Sequence, residues 1–247
     1  MQRNHLFPTI LVSLSVAFLS FSAPARNGSV PPAAADSASA AITAATGAAS
    51  KGFASLYEGL DLSNAGLSRE AFDYAIKGYE KLVAEGAVTK DQYLTIVDFS
   101  QSGRKKRFYL IDMKNNELLV NTFVSHGKNS GLDMAKKFSN TINSEQSSLG
   151  FYVTSATYTG KHGLSLRLQG QEEGFNSNAM ARGIVVHGAA YVNSGRVNSD
   201  FMGRSQGCPA LPEKEYAKVI NIIKDGSVMF LYHPSQDYIQ NSPVLNS

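Results

Sequence analysis

The chain has 247 residues, 43% hydrophobic and 17% charged, with 13 Phe and 11 Tyr. That supplies one ordinary globular core and excludes a collagenous or wholly disordered chain. Basic side chains outnumber acidic ones 23 to 20 and are scattered rather than gathered in a stripe, so no nucleic-acid partner is expected.

At the N-terminus, Arg3 precedes an apolar run from Leu6 to Phe21, and Ala23-Pro24-Ala25 has the small-x-small pattern of a signal-peptidase site. The run is shorter than the roughly 20 apolar residues of a membrane span, and it contains Pro8. Residues 1–25 therefore read as a cleaved export signal. No Cys follows to carry a lipid, so no stable membrane anchor is expected after cleavage. The protein is expected to be periplasmic or cell-wall associated. Residues 26–50 are rich in Ala, Ser, Thr and Pro without an aromatic residue, and read as a disordered tether.

Residues 51–90 read as a helical segment. Phe72, Ala75, Ile76, Tyr79, Leu82 and Val83 recur at three- and four-residue steps, Ser68 is a capping residue, and Gly86 closes the end. From Tyr93 the period changes. YLTIVDF, RFYLIDM and ELLVNTFV, separated by Ser102-Gly103 and Lys114-Asn115-Asn116, predict a β-meander. Further strands are predicted at LGFYVTSATY, LSLRLQG, IVVHG and SVMFLYH, with one helix over 212–225 that has Pro in its first turn and Gly226 past its end. The expected fold is mainly β (α+β): an antiparallel β-sandwich or barrel-like catalytic domain over 91–236, with a few helices. A C-terminal tail follows at 237–247.

Cys208 is the lone cysteine, so no intramolecular disulfide forms. In an oxidising compartment such a thiol is either buried and inert or has chemistry to do. Its surroundings read Gly203-Arg204-Ser205-Gln206-Gly207-Cys208-Pro209-Ala210. Gly207 permits a tight turn beside the sulfur and Pro209 fixes the next dihedral. Just ahead of a helix, backbone N–H groups and the helix dipole would favour thiolate and hold an oxyanion. A nucleophilic Cys also needs a base. His126, His162 and His187 are each followed by Gly, and His187 ends the apolar strand Ile184-Val185-Val186. A His187–Cys208 dyad and a structural histidine both fit these residues.

The pairing of His187-Gly188 at a strand end with Ser205-x-Gly207-Cys208 downstream resembles the YkuD-type L,D-transpeptidases. The blocks VSHGKNSG, SSLGFYVT, YTGKHGLSLRL, ARGIVVHGA and GRSQGCPA suggest the murein L,D-transpeptidase catalytic domain branch over roughly Tyr93 to His233. The resemblance implies that Cys208 is the acylated nucleophile and His187 its base. It also implies that the Gly188 carbonyl is the third partner, with the N–H groups of Cys208 and Gly207 as oxyanion donors. Two positions depart from the pattern: Gln206, where other branches often have a second His, and Ala210, where Asn or Arg is common. Carboxylate recognition then falls to candidates such as Arg204, Arg182 and Arg167. Ser205 belongs to the box, and His126 is expected to line the cleft.

The activity implied is acyl transfer from a peptidoglycan stem peptide with release of D-Ala, forming 3→3 crosslinks without a cofactor. An L,D-carboxypeptidase using water is an alternative. So is a non-catalytic wall-binding homologue. A zinc hydrolase with His126, His162 and His187 as ligands is a reading from a different class, and no compact H-E-x-x-H motif supports it.

Overall fold

The computed structural model describes residues 53 and 55–246, so the export signal expected at 1–25 and the tether at 26–50 lie outside the described residues. Residues 55–59 are helical, and helix α1 spans Arg69–Ala84. Ser68 caps it as its sequence position predicts, the hydroxyl accepting the Ala71 N–H at 3.2 Å. The stripe of Ala71, Phe72, Ala75, Ile76 and Leu82 is buried, as the three- and four-residue spacing requires.

Ten strands follow: β1 (Tyr93–Asp98), β2 (Phe108–Asp112), β3 (Glu117–Thr122), β4 (His126–Gly127), β5 (Gly150–Gly160), β6 (Gly163–Gly170), β7 (Val185–Gly188), β8 (Arg204–Ser205), β9 (Ala210–Leu211) and β10 (Val228–Tyr232). Eight of them form one sheet in the order β3-β2-β1-β10-β5-β6-β7-β9, while β4 and β8 pair by themselves. The Ser125 N–H, just past β3, donates to Ala210 O of β9 at 2.9 Å. The two edges of the sheet therefore nearly meet.

The meander β1-β2-β3 is antiparallel as expected, but the sheet as a whole is mixed. β10 lies parallel to β1, with Leu94 opposite Val228, and β9 lies parallel to β7. The reason is long-range. The last strand returns to the centre of the sheet between β1 and β5, and parallel partners need crossover connections that no local pattern encodes. β2 and β10 are buried along their whole length, as strands covered on both faces are. Phe151 of β5 and Phe230 of β10 stack at 4.1 Å. Each fully buried side chain of this size contributes about 1.5–3 kcal/mol, so the sheet centre is the rigid scaffold.

Helix α2 (Tyr216–Ile223) packs against β6 and β7. It is shorter than the predicted 212–225 because Pro212 O accepts the N–H groups of Glu215 and Tyr216, both at 3.0 Å, in a turn ahead of it. The C-terminal segment carries α3 (Gln236–Asn241). The Tyr238 hydroxyl donates to Glu172 Oε2 at 3.0 Å and Ser242 Oγ also donates to Glu172. Glu172, fully buried, in turn accepts the Phe151 N–H at 2.6 Å. Among the described residues no helix is long and apolar enough to cross a membrane.

Candidate active site

β7 delivers His187 to the edge of the sheet core. Its buried Val185 and Val186 anchor the strand, and its register places His187 opposite Ser165 of β6 on one side and Ala210 of β9 on the other. A Cβ at Gly188 would lie 2.6 Å from the Tyr216 ring, so glycine alone lets α2 close over this strand end. His187 is buried, with Nδ1 2.9 Å from Gly188 O. A carbonyl only accepts, so Nδ1 carries the proton and Nε2 keeps its lone pair.

The cysteine loop is built by Ser205. Its hydroxyl accepts the Gly207 N–H at 3.1 Å and donates to Cys208 O at 2.6 Å, bracing the turn across the Ser-x-Gly-Cys spacing. Gly207 has φ +121°, and a Cβ there would meet Gln146 O at 2.8 Å. Its carbonyl accepts from Ser147 Oγ at 3.2 Å. The Gly207 N–H, expected as an oxyanion donor, is hydrogen-bonded to Ser205 Oγ in this fold. The Cys208 N–H has no acceptor among the described residues and remains available to an oxyanion.

The Cys208 thiol is half-buried. Sγ accepts from Val185 N at 3.5 Å and donates toward Gly183 O at 3.7 Å. It thus lies beside Val185, two residues from His187 on the same face of β7. The helix N-terminus expected next to the sulfur is absent, since β9 follows and α2 begins only at Tyr216. Burial, the largest effect, pushes the thiol above its ordinary pKa, with the Val185 N–H and the Arg182 charge opposing it. Burial likewise holds His187 below the usual imidazole range, against the bond to Gly188 O and with some help from His162. Both groups are therefore neutral near pH 7, where the sequence favoured a thiolate.

Cys208 and His187 line one open cleft of about 450 Å³ with Tyr158, His162, Tyr191 and Arg204. Arg204 stacks over Phe201 at 4.5 Å and donates to Lys128 O at 2.9 Å. Arg167 is exposed on β6 over the Tyr158 ring at 4.4 Å. Arg182 faces inward instead. Its Nη1 donates to Ser139 O (2.6 Å) and Ser148 Oγ (3.0 Å), and its Nη2 to Ser144 Oγ (3.1 Å) and Gln146 O (2.5 Å). It braces the wall behind Gly207 and has no terminal nitrogen left uncommitted to protein.

His126 does not line the cleft. It is buried, with Nδ1 accepting from Arg107 Nη2 at 2.7 Å and Nε2 donating to Gly131 O at 3.3 Å. Burial and then the Arg107 charge push its pKa down to about 3. Arg107, missed by the sequence reading, is itself fully buried and also donates to Val124 O and Gln101 O. The three histidines of the zinc reading do not converge, and no group of three or more His, Cys, Asp or Glu among the described residues is arranged to hold a metal. His162, in sequence both a candidate base and a candidate metal ligand, instead stacks its ring on His187 at 4.5 Å.

A neutral thiol, a neutral imidazole of fixed tautomer and a free backbone N–H at one cleft are the parts needed for covalent acyl transfer. Residues 63–232 match the family model described as the L,D-transpeptidase catalytic domain. Similar solved structures include an L,D-transpeptidase from Mycobacterium smegmatis, at 15% identity over 57% of this chain and 59% of that one, with a TM-score of 0.37. L,D-transpeptidase 1 of Mycobacterium tuberculosis matches at 13% identity over 57% and 62%, with a TM-score of 0.32. An L,D-transpeptidase from Stackebrandtia nassauensis matches at 13% over 68% and 69%, with a TM-score of 0.33. The chain spans less than two thirds of the length of the two mycobacterial proteins. The sequence has no match among curated proteins.

Proposed function

From the premise that the chain belongs to the L,D-transpeptidase catalytic domain family, we propose that it is a cysteine-dependent peptidoglycan L,D-transpeptidase acting on tetrapeptide stems. The observation that carries this reading is the placement of Cys208 and His187 at one cleft, with His187 Nδ1 committed to the Gly188 carbonyl.

In the first step His187 Nε2 takes the Sγ–H proton as Cys208 Sγ bonds to the carbonyl carbon of the diamino acid's L-centre. The oxyanion forms against the Cys208 N–H. Collapse breaks the C–N bond to the terminal D-Ala, and the imidazolium returns the proton to the departing amine. The product is a thioester on Cys208 and free D-Ala. In the second step the side-chain amine of a neighbouring stem attacks the thioester, His187 accepts its proton, and the thiol is restored with a 3→3 crosslink formed. Because both groups start neutral, proton transfer accompanies attack, and His187 meets the thiol already in its free-base form.

The proposed location is outside the cytoplasm, where this family typically works, consistent with the export signal expected at residues 1–25. Incubation with disaccharide-tetrapeptide tests the reading by mass spectrometry of the products. Free D-Ala together with a crosslinked dimer supports transpeptidation, and free tripeptide in place of dimer assigns water as the acceptor. Intact tetrapeptide with no D-Ala would contradict both.

A further inference from the structure

His187 has a single in-plane restraint, the bond from Nδ1 to the carbonyl of its own neighbour at 2.9 Å. Among the described residues no side chain hydrogen-bonds to its ring. A ring tethered at one edge to adjacent backbone can still tilt, and a general base has to present Nε2 in a narrow range of positions. The second restraint comes from a different element. The His162 ring lies over the His187 ring with centroids 4.5 Å apart and planes 26° apart.

The hairpin that carries His162 is built to reach this point. β5 pairs with β10 only over Gly150–Val153, while its far half pairs with β6 alone, from Thr157 opposite Leu166 to Gly160 opposite Gly163. A register shift between Thr154 and Thr157 bends the hairpin where it leaves the central sheet. Ser165 lies opposite His187, so the Lys161-His162 turn just beyond it overhangs the end of β7. His162 is exposed whereas His187 is buried. The outer imidazole therefore covers the inner one from solvent.

We propose that His162 is a positioning residue for the base: from the β5–β6 hairpin tip its ring fixes the plane of His187, so that Nε2 faces the Cys208 thiol. The catalytic part of this inference rests on the acyl-transfer reading above. The flat ring does the work, and neither of its nitrogens is required.

The test compares His162→Ala and His162→Phe in acylation of Cys208 by a carbapenem, separating the limiting rate from the half-saturation concentration. The Ala variant is expected to lower the limiting rate by about tenfold to a hundredfold, the scale set by a misplaced catalytic group. Half-saturation should stay unchanged. The Phe variant, which keeps a ring over His187, is expected to recover the wild-type rate. Loss in both variants, a raised half-saturation in both, or no loss in either overturns the proposal; the first two results would make the ring a hydrogen-bonding contact to substrate. A second readout is independent of activity. The His187 ring-proton resonances should lose the ring-current shift in His162→Ala, and keep a shift of the same sense as wild type in His162→Phe, where a ring remains stacked. If wild-type Cys208 is not acylated, the acyl-transfer reading fails, while these resonances still decide whether the His162 ring lies over His187 in solution.

Discussion

Arg182 joins the stability of the cleft wall to the chemistry of the thiol, so its replacement should separate the two. Its guanidinium makes four hydrogen bonds to the 139–148 segment, and its charge favours the Cys208 thiolate. Arg182→Met keeps the stem and removes the charge and all four bonds. Bonds from a charged donor are worth about 1.5–3 kcal/mol each, but the group is half-buried and some acceptors regain water, so the expected loss is roughly 3–5 kcal/mol. Arg182→Lys keeps the charge, yet one ammonium cannot replace a planar fork whose two ends hold different partners. Roughly half that loss is expected for the Lys variant. Urea unfolding of wild type and both variants gives the stability differences. Iodoacetamide labelling of Cys208 against pH gives the electrostatic part. The thiol should titrate higher in the Met variant and near the wild-type position in the Lys variant. Stabilities within about 0.5 kcal/mol of wild type, as for an ordinary surface site, or a lower thiol titration in the Met variant, would refute the reasoning.

Three further outcomes follow from the same geometry. Gly207→Ala puts an L-residue at φ +121° with its Cβ 2.8 Å from Gln146 O; it should lose about 1–3 kcal/mol by urea unfolding and most of its acylation rate. Ser205→Ala leaves the buried Gly207 N–H without its acceptor, a loss of about 1–3 kcal/mol, and should slow acylation by a carbapenem without changing the modified residue. His126, held down to about 3 in the folded protein against 6.5 ordinarily, is protonated first in the unfolded chain. Its contribution to stability is therefore full above pH 6.5 and is lost as the pH falls toward 3, at about 1.4 kcal/mol per pH unit. Urea midpoints at pH 7, 6 and 5 should show a correspondingly shallower decline in His126→Asn, and equal slopes would contradict the assignment.

The strands and the cysteine loop were legible because their determinants are local. β-branched and aromatic runs mark β1 to β3, and Ser205, Gly207 and Cys208 sit at the spacing that one hydroxyl can brace. The sheet order was not legible, since the parallel pairing of β1 with β10 joins residues far apart in sequence. The three His-Gly pairs make the point most clearly. At 126–127, 162–163 and 187–188 they read alike, yet one is buried against Arg107, one tips a hairpin and one ends a strand at the cleft. Tertiary packing alone separates them. The same holds for Arg182, which in sequence is a candidate for carboxylate recognition and in the fold spends its donors behind the cysteine turn. The ionisation of the thiol depends on burial, which the Gly-rich neighbourhood does not reveal.

The most direct measurement of the central claim is the intact mass of the protein after incubation with a carbapenem, followed by peptide mapping. Wild type should gain a single adduct carried by the peptide containing Cys208. Cys208→Ser should gain none, because a hydroxyl of much higher pKa does not replace the thiol. His187→Ala should acylate about a hundredfold or more slowly, the usual contribution of a general base, with its unfolding transition retained. An unmodified wild type, an adduct on another residue, or His187→Ala acylating at the wild-type rate would contradict the assignment of Cys208 and His187 as nucleophile and base.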